Sequence, residues 1–409
     1  MKMVKAIVIL FLFLSITACG NHKSETVVKT DDEATESKQK NQNENSTEKI
    51  IAKMSLDEKI GQMIFAGIDG TTMNANTKTL IDRYKVGGVI LYKPNIQSTN
   101  QTLALLNGLK KENSDNKMPL FLGVDQEGGR VQRLPDDWKK IPSSGEIGKV
   151  NRPEFSYEIG TLLGKELKAI GFNLDFAPVL DINSNPNNPV IGDRSFGSDS
   201  KKVSHLGIET MKGIKGQNVI PVVKHFPGHG DTSVDSHIGL PKVTKNLDQL
   251  RKFELVPFKQ SITKGADVVM VAHILLPKID SSNPATFSKR MITDVLRKEM
   301  KFKGVVMTDD MTMGAITKHY SIGDAAVKSV NSGSDVILIG HDYNQVITVI
   351  KAIKSAVQKG TVPESKINSS VYKIISLKQK YKLTNSPVQS VDVKGINRSI
   401  QETLHRYMD

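Results

Sequence analysis

The sequence predicts an α/β protein, a (β/α)8 barrel of the TIM type with a C-terminal helix and a short polar tail. Two observations predict it. Short apolar runs alternate with stretches of helical periodicity, eight times over about 330 residues. The residues that follow those runs carry most of the titratable motifs, whereas the residues before them are ordinary Lys, Asn and Gly. Barrels of this kind hold their functional groups at the C-terminal ends of strands. A doubly wound open sheet is the competing architecture, since counting strands does not show closure. No Gly-rich dinucleotide fingerprint follows the first strand, which argues against it.

The chain has 409 residues, enough for one large domain or two ordinary ones. Its 56 basic and 43 acidic residues leave a formal charge of +13. A basic balance suits nucleic acid or an anionic surface. No Lys/Arg cluster interleaved with aromatics is present, so no nucleic-acid partner is expected. Cys19 is the one cysteine, so neither a disulfide framework nor a multi-cysteine zinc site can form within the chain.

Lys2 and Lys5 precede an apolar run, Ala6 to Leu14, which has the length of a signal-peptide core and is short for a membrane span. It ends in Ser15-Ile16-Thr17-Ala18-Cys19-Gly20. Small residues before a cysteine resemble a bacterial lipoprotein box. The resemblance implies a signal peptide over 1–18, cleavage before Cys19 and diacylation at that residue. Two acyl chains anchor stably where one does not. Residues 19–48 are polar and are expected to form a disordered tether, because they cannot bury enough apolar surface to offset ordering entropy. The expected location is the extracytoplasmic face of the cell membrane.

The folded body is expected over 49–384. Ser55-Leu56-Asp57-Glu58 is a capping box that opens a helix. The strand candidates are Gln62–Ile68, Gly88–Tyr92, Leu120–Val124, Asn173–Leu180, Ile220–Val223, Asp267–Ala272, Gly304–Met307 and Asp335–Ile339. Helical patterns such as Thr102–Lys111 and Glu154–Ile170 lie between them, and Ile292, Val295, Leu296 and Met300 mark one face of another. Ile367, Val371, Ile374 and Leu377 mark a helix on the barrel's outside. Residues 385–409 read as a polar tail.

The strand ends are chemically loaded. The third is followed by Asp125-Gln126-Glu127-Gly128-Gly129-Arg130-Val131-Gln132-Arg133, and the fourth leads to Asp181 and a loop with Gly192-Asp193-Arg194-Ser195-Phe196. The fifth opens into Lys224-His225-Phe226-Pro227-Gly228-His229-Gly230, then Asp235-Ser236-His237. The sixth ends near His273 and the seventh in Thr308-Asp309-Asp310. A carboxylate at Asp309 suits a nucleophile, a metal ligand or a helix cap. Asp235 beside His237 fixes an imidazole tautomer and favours its protonated form, as a general acid/base requires. Lys224, Arg133 and Arg194 offer donors and Asp125 an acceptor, a mixture that fits a polyhydroxylated ligand.

These motifs, in this order over about residues 50 to 383, closely resemble the β-N-acetylglucosaminidase branch of family 3 glycoside hydrolases. The resemblance implies a (β/α)8 barrel and a retaining mechanism. It implies Asp309 as nucleophile, His237 as acid/base and Asp235 as its orienting partner. It implies that Asp125, Arg133, Arg194, Lys224 and His225 bind a terminal N-acetylglucosamine. The expected substrate is a saccharide containing that sugar, from cell-wall or chitin-type chains; no cofactor or metal is expected, and a monomer is. The lipoprotein leader departs from leaderless members of the family and favours extracellular wall fragments. Three other functions compete. Phosphate could replace water as acceptor, giving a phosphorylase. A metal-dependent barrel hydrolase could use His225, His229, His237, His273 and Asp309, although the first strand lacks a His-x-His. A non-catalytic sugar-binding lipoprotein would not need Asp309 and the Asp235–His237 pair together.

Overall fold

The computed structural model describes residues 46–409. The apolar leader, Cys19 and the tether up to residue 45 lie outside the described residues. The expected end of the tether is corrected: residues 46–52 are helical, and the Thr47 hydroxyl, buried, donates to Gln379 Oε1 at 2.6 Å. Ile51 and Met54 are buried just beyond it and supply apolar burial that offsets the cost of ordering this turn.

Ten strands are present among the described residues. Eight parallel ones form the barrel: β1 (Ile64–Gly67), β2 (Gly88–Leu91), β3 (Phe121–Val124), β4 (Leu174–Asp175), β5 (Ile220–Phe226), β6 (Val268–Val271), β9 (Val305–Thr308) and β10 (Ile337–Ile339). An antiparallel hairpin, β7 (Leu275–Leu276) and β8 (Asp280–Pro284), interrupts them after β6. Each barrel strand pairs with its predecessor, and β10 pairs with β1. A parallel bridge between Met307 and Val336 joins β9 to β10, so the ring closes and the open-sheet alternative falls. All eight expected strands are present. β5 runs further than the sequence suggests, which places Lys224 and His225 in the strand itself.

Strands buried on both faces need apolar residues without alternation, and Val268-Val269-Met270-Val271 supplies them. Aromatic rings fill the interior: Phe65 lies 6.2 Å from Phe121 and 5.5 Å edge-on from Phe176, centroid to centroid. Gly88 makes room for them, because a Cβ there would sit 2.8 Å from both Phe65 and Phe121. The Ser55 capping box forms, with Glu58 accepting back from the Ser55 N–H at 2.8 Å. The helix expected over Thr102–Lys111 spans Thr99–Glu112, and that over Glu154–Ile170 spans Pro153–Ile170. The Ile292–Met300 face winds as a π-helix, Arg290–Glu299. Ile367, Val371, Ile374 and Leu377 are buried on the helix Glu364–Lys380.

The polar tail expected over 385–409 is also corrected, because Val393–Met408 is a helix. Its apolar residues Ile396, Ile400, Leu404 and Tyr407 recur at helical spacing and face the body of the protein. Ile400 is fully buried, Tyr407 stacks on Phe155 at 4.9 Å, and Arg406 and the Tyr407 hydroxyl reach Glu158 at 3.0 Å. Asn397 accepts from the Lys139 N–H at 2.7 Å and donates to the Asp137 carbonyl at 2.8 Å, tying this helix to the long loop after β3. Ile400→Ala is therefore expected to cost about 2–5 kcal/mol. Urea unfolding measures this, and a loss below about 0.5 kcal/mol would show that the helix contributes no packing.

Candidate active site

The C-terminal ends of the strands surround a cavity of about 440 Å³. Ile90, Met270 and Leu338, from β2, β6 and β10, lie in its wall. Every catalytic or sugar-binding residue expected from the sequence lines it: Asp125, Arg133, Arg194, Lys224, His225, Asp235, His237 and Asp309.

Its polar wall is an ion cluster. Lys224, 2% exposed, donates from Nζ to Asp125 Oδ1 at 2.6 Å and pairs with Glu127 Oε1 at 2.7 Å. Arg194 grips Glu127 with both fork atoms, Nε at 2.8 Å and Nη2 at 2.7 Å. Burial would push the Glu127 carboxyl up, but the Arg194 and Lys224 charges reverse this and hold it well below the usual carboxylate range. The same pairing raises Lys224 against the pull of burial. Lys224, Arg194 and Glu127 thus stand charged at the barrel mouth. The Arg133 guanidinium forms no ion pair among the described residues, leaving its charge for a ligand.

Asp181 sits beneath this cluster. Its Oδ2 lies 2.6 Å from His225 Nδ1, and its Oδ1 accepts from the His229 N–H at 2.6 Å. Burial opposes the charge, yet the two histidines and these hydrogen bonds lower its pKa. The carboxylate keeps a proton on Nδ1 of His225 and turns Nε2 towards the cavity.

Asp309 follows β9 directly. Its N–H donates to the Val271 carbonyl at 3.0 Å, and its Oδ1 accepts from the Asp310 N–H at 2.8 Å. Burial raises the carboxyl, but His225, His273 and that backbone bond outweigh it, so Asp309 is held as a carboxylate. Asp310 is a separate fixture: it accepts from the Thr312 and Gly340 N–H groups at 2.9 and 2.8 Å and so joins β9 to β10.

The loop after β5 carries Asp235 and His237. Asp235 Oδ1 accepts from the His237 N–H at 2.9 Å and lies 2.8 Å from its ring Nδ1. Partial burial raises Asp235, and these two bonds more than reverse it. The imidazole is otherwise open, with its side chain 69% exposed. The loop's base is fixed by contrast. Asn188 donates to the His229 carbonyl at 2.8 Å, and Lys245 pairs with Asp231 at 3.1 Å and with buried Glu254.

Fitted to the family described as "Glycosyl hydrolase family 3 N terminal domain", the chain matches over residues 55–377. The chain belongs to glycosyl hydrolase family 3. It is similar to "Beta-hexosaminidase A" of Pseudoalteromonas piscicida, 33% identical over 83% of this chain and 60% of that protein. The "Beta-hexosaminidase" of Nitrosomonas eutropha is 33% identical over 76% of this chain and 90% of its own length. A solved family 3 β-N-acetylglucosaminidase from Paenibacillus sp. str. FPU-7 superposes with a TM-score of 0.82 at 36% identity, over 87% of this chain and 69% of that one. The chain thus spans less than two thirds of the Pseudoalteromonas relative's length.

The cavity also gathers residues that the motifs contain but to which the sequence assigns no role. Glu127 is the centre of the ion cluster. Its spacing of two residues from Asp125, within one motif, is the signal that the sequence offered for it. Asp181 was placed at the strand end, but its two histidine partners are visible only in space. Tyr92 and His341, from the ends of β2 and β10, stack at 4.6 Å in the cavity wall and have no motif. The histidines of the metal-hydrolase alternative are engaged elsewhere: His225 with Asp181, His229 with Thr232 and Ser236, His273 with Thr286 and the Asp310 carbonyl. Among the described residues no group of three or more potential ligands is arranged for a metal ion.

Glu127→Gln is expected to cost about 3–5 kcal/mol at neutral pH, because it leaves Arg194 and Lys224 short of a partner in a buried site. Glu127 is depressed in the folded state, so the unfolded chain binds more protons once pH falls below about 4.3, and wild type loses this stability on acidification. The deficit of the variant should therefore shrink as pH falls. Chemical denaturation from about pH 7 down to about pH 2.5 measures it; a deficit that grows would contradict the assignment.

Proposed function

We propose that the protein is a retaining exo-β-N-acetylglucosaminidase that removes terminal β-linked N-acetylglucosamine from cell-wall or chitin-type saccharides. The observation that carries this reading is the convergence of Asp309 and the Asp235–His237 pair on one cavity lined by Asp125, Arg133, Arg194, Lys224 and His225. The printed names of the relatives, with two hexosaminidases and one β-N-acetylglucosaminidase among them, support it.

In this reading the terminal sugar lies against the ion cluster, and its hydroxyl and acetamide groups meet fixed donors and acceptors that need no reorganisation. Asp309 attacks the anomeric carbon while the bond to the leaving oxygen breaks. Protonated His237 gives its Nε2 proton to that oxygen, and Asp235 stabilises the ring through Nδ1. A water then takes the place of the departed saccharide. Neutral His237 accepts a proton from it, the oxygen attacks the anomeric carbon, and Asp309 leaves as carboxylate. Two inversions retain the β configuration. Retaining glycosidases usually pair two carboxylates; an imidazole on an exposed loop takes the second place here.

Wild type should hydrolyse an aryl β-N-acetylglucosaminide with a specificity constant at least about tenfold above that of the aryl β-glucoside. In His237→Ala, an activated aryl substrate should still glycosylate Asp309, give a burst and be rescued by azide, whereas a natural sugar leaving group should lose about 10²–10⁴-fold. Equal constants on the two glycosides would reject the substrate, and equal loss across leaving groups would reject the role of His237.

We also propose that lipidated Cys19 holds this hydrolase on the extracytoplasmic face of the membrane. The apolar run and the small residues before Cys19 support this. Membrane fractionation of Cys19→Ala should show release into the soluble fraction; unchanged partition would refute the anchor.

A further inference from the structure

The acid/base loop does not touch its surroundings only at its base. Residues 235–239 form a tight turn in which the N–H groups of Ile238 and Gly239 both donate to the Asp235 carbonyl, at 2.9 and 3.0 Å. Such a turn leaves the carbonyls of Ser236, His237 and Ile238 without partners of its own, as the last turn of a helix does. Apolar burial does not secure it either, because Val234 and Ile238 are 43% and 67% exposed.

All three carbonyls face one segment, the short helix Gly314–Thr317 and Lys318 after it, which follows the Asp309 strand. The Ala315 N–H donates to the Ser236 carbonyl at 2.9 Å. Lys318 Nζ donates to the Ile238 carbonyl at 2.6 Å, and Lys318 has no carboxylate partner among the described residues. Between these bonds, Gly314 lies directly against the His237 carbonyl: a Cβ there would be 2.4 Å from that oxygen. Gly314 does not have a left-handed φ, so the backbone would accept a side chain and only this approach forbids one.

We propose that Gly314, Ala315 and Lys318 form a seat that sets the acid/base His237 against the nucleophile, with Gly314 and Lys318 as positioning residues for proton transfer. This rests on the reading of Asp309 and His237 given above. The segment that continues from the nucleophile strand holds the backbone on both sides of the imidazole, so one rigid element fixes both reacting groups. The terminal sugar is held elsewhere, by the loops after β3 and β4 and by Lys224 and His225 within β5. Disturbing the seat should therefore impair proton transfer and leave sugar binding and nucleophilic attack intact.

The test is single-turnover glycosylation and steady-state turnover with aryl β-N-acetylglucosaminides of graded leaving-group pKa, for wild type, His237→Ala, Gly314→Ala, Lys318→Met and Lys318→Arg. Gly314→Ala should lose at least about tenfold more rate with the poorest leaving group than with the best, a fraction of what general acid catalysis supplies. Azide should restore its turnover on the activated substrate, and inhibition by free N-acetylglucosamine should change less than about twofold. Lys318→Met should show the same pattern more weakly, and Lys318→Arg should restore most of it. If Gly314→Ala does not fold, the surface Lys318 pair decides the matter alone. A uniform rate loss across leaving groups, or none, in variants where His237→Ala does show the graded loss, would overturn the seat. If His237→Ala itself shows no graded loss, or wild type does not cleave these glycosides, the functional reading fails instead.

Discussion

The structure depends on the placement of one buried ammonium. Lys224 leaves β5 into the barrel mouth and meets Asp125 and Glu127, about one hundred residues earlier in the chain. A lone ammonium there would be intolerable, and so would either carboxylate. Arg194 completes the set by closing on the far side of Glu127. The loops after β3 and β4 and the strand β5 are thereby bound to one another by charge. Each pair is costly to desolvate, so its contribution is registration more than stability.

That registration continues below the cluster. The buried Gln126 N–H donates to Asp175 at 3.0 Å, and its side chain joins Glu166, at 3.2 Å, to the Arg133 N–H, at 2.8 Å. Burial raises Asp175 well above the usual carboxylate range and lifts Glu166 to about 8, so Glu166 is held as a neutral acid at neutral pH. A neutral acid can underlie a charged site without adding repulsion to it. Outside, the Val393–Met408 helix holds the same β3 loop through Asn397. The polar wall of the cavity is fixed from three sides.

In the proposed mechanism the acid/base His237 differs from this wall in its access to solvent. His237 is exposed, and its Asp235 partner is a neighbour on the same turn, so the pair is set by local spacing. A group that gives a proton in one step and takes one in the next gains from access to water. A nucleophile gains from the reverse, and Asp309 is anchored at a strand end by backbone bonds on both sides. The backbone of the proton carrier is held by Ala315 and Lys318, and only its imidazole is left open to water.

The sequence by itself determined the alternation of strands and helices, the loading of one barrel end, and the Asp235–His237 dyad. Each is encoded within a few residues: apolar runs set strands, motifs sit where strands end, and the dyad closes through a two-residue spacing. It also contained the C-terminal helix, whose Ile396, Ile400, Leu404 and Tyr407 are spaced for one face, but abundant polar residues between them read as a tail. What only the tertiary structure decided are the contacts between segments distant along the chain. Glu127 became the centre of an ion cluster, Asp181 the partner of two histidines, and Gly314 the floor beneath His237. No local pattern specifies these, because each depends on the closed barrel bringing separate strand ends within a few ångströms, where desolvated charges must find partners and a single Cβ would not fit.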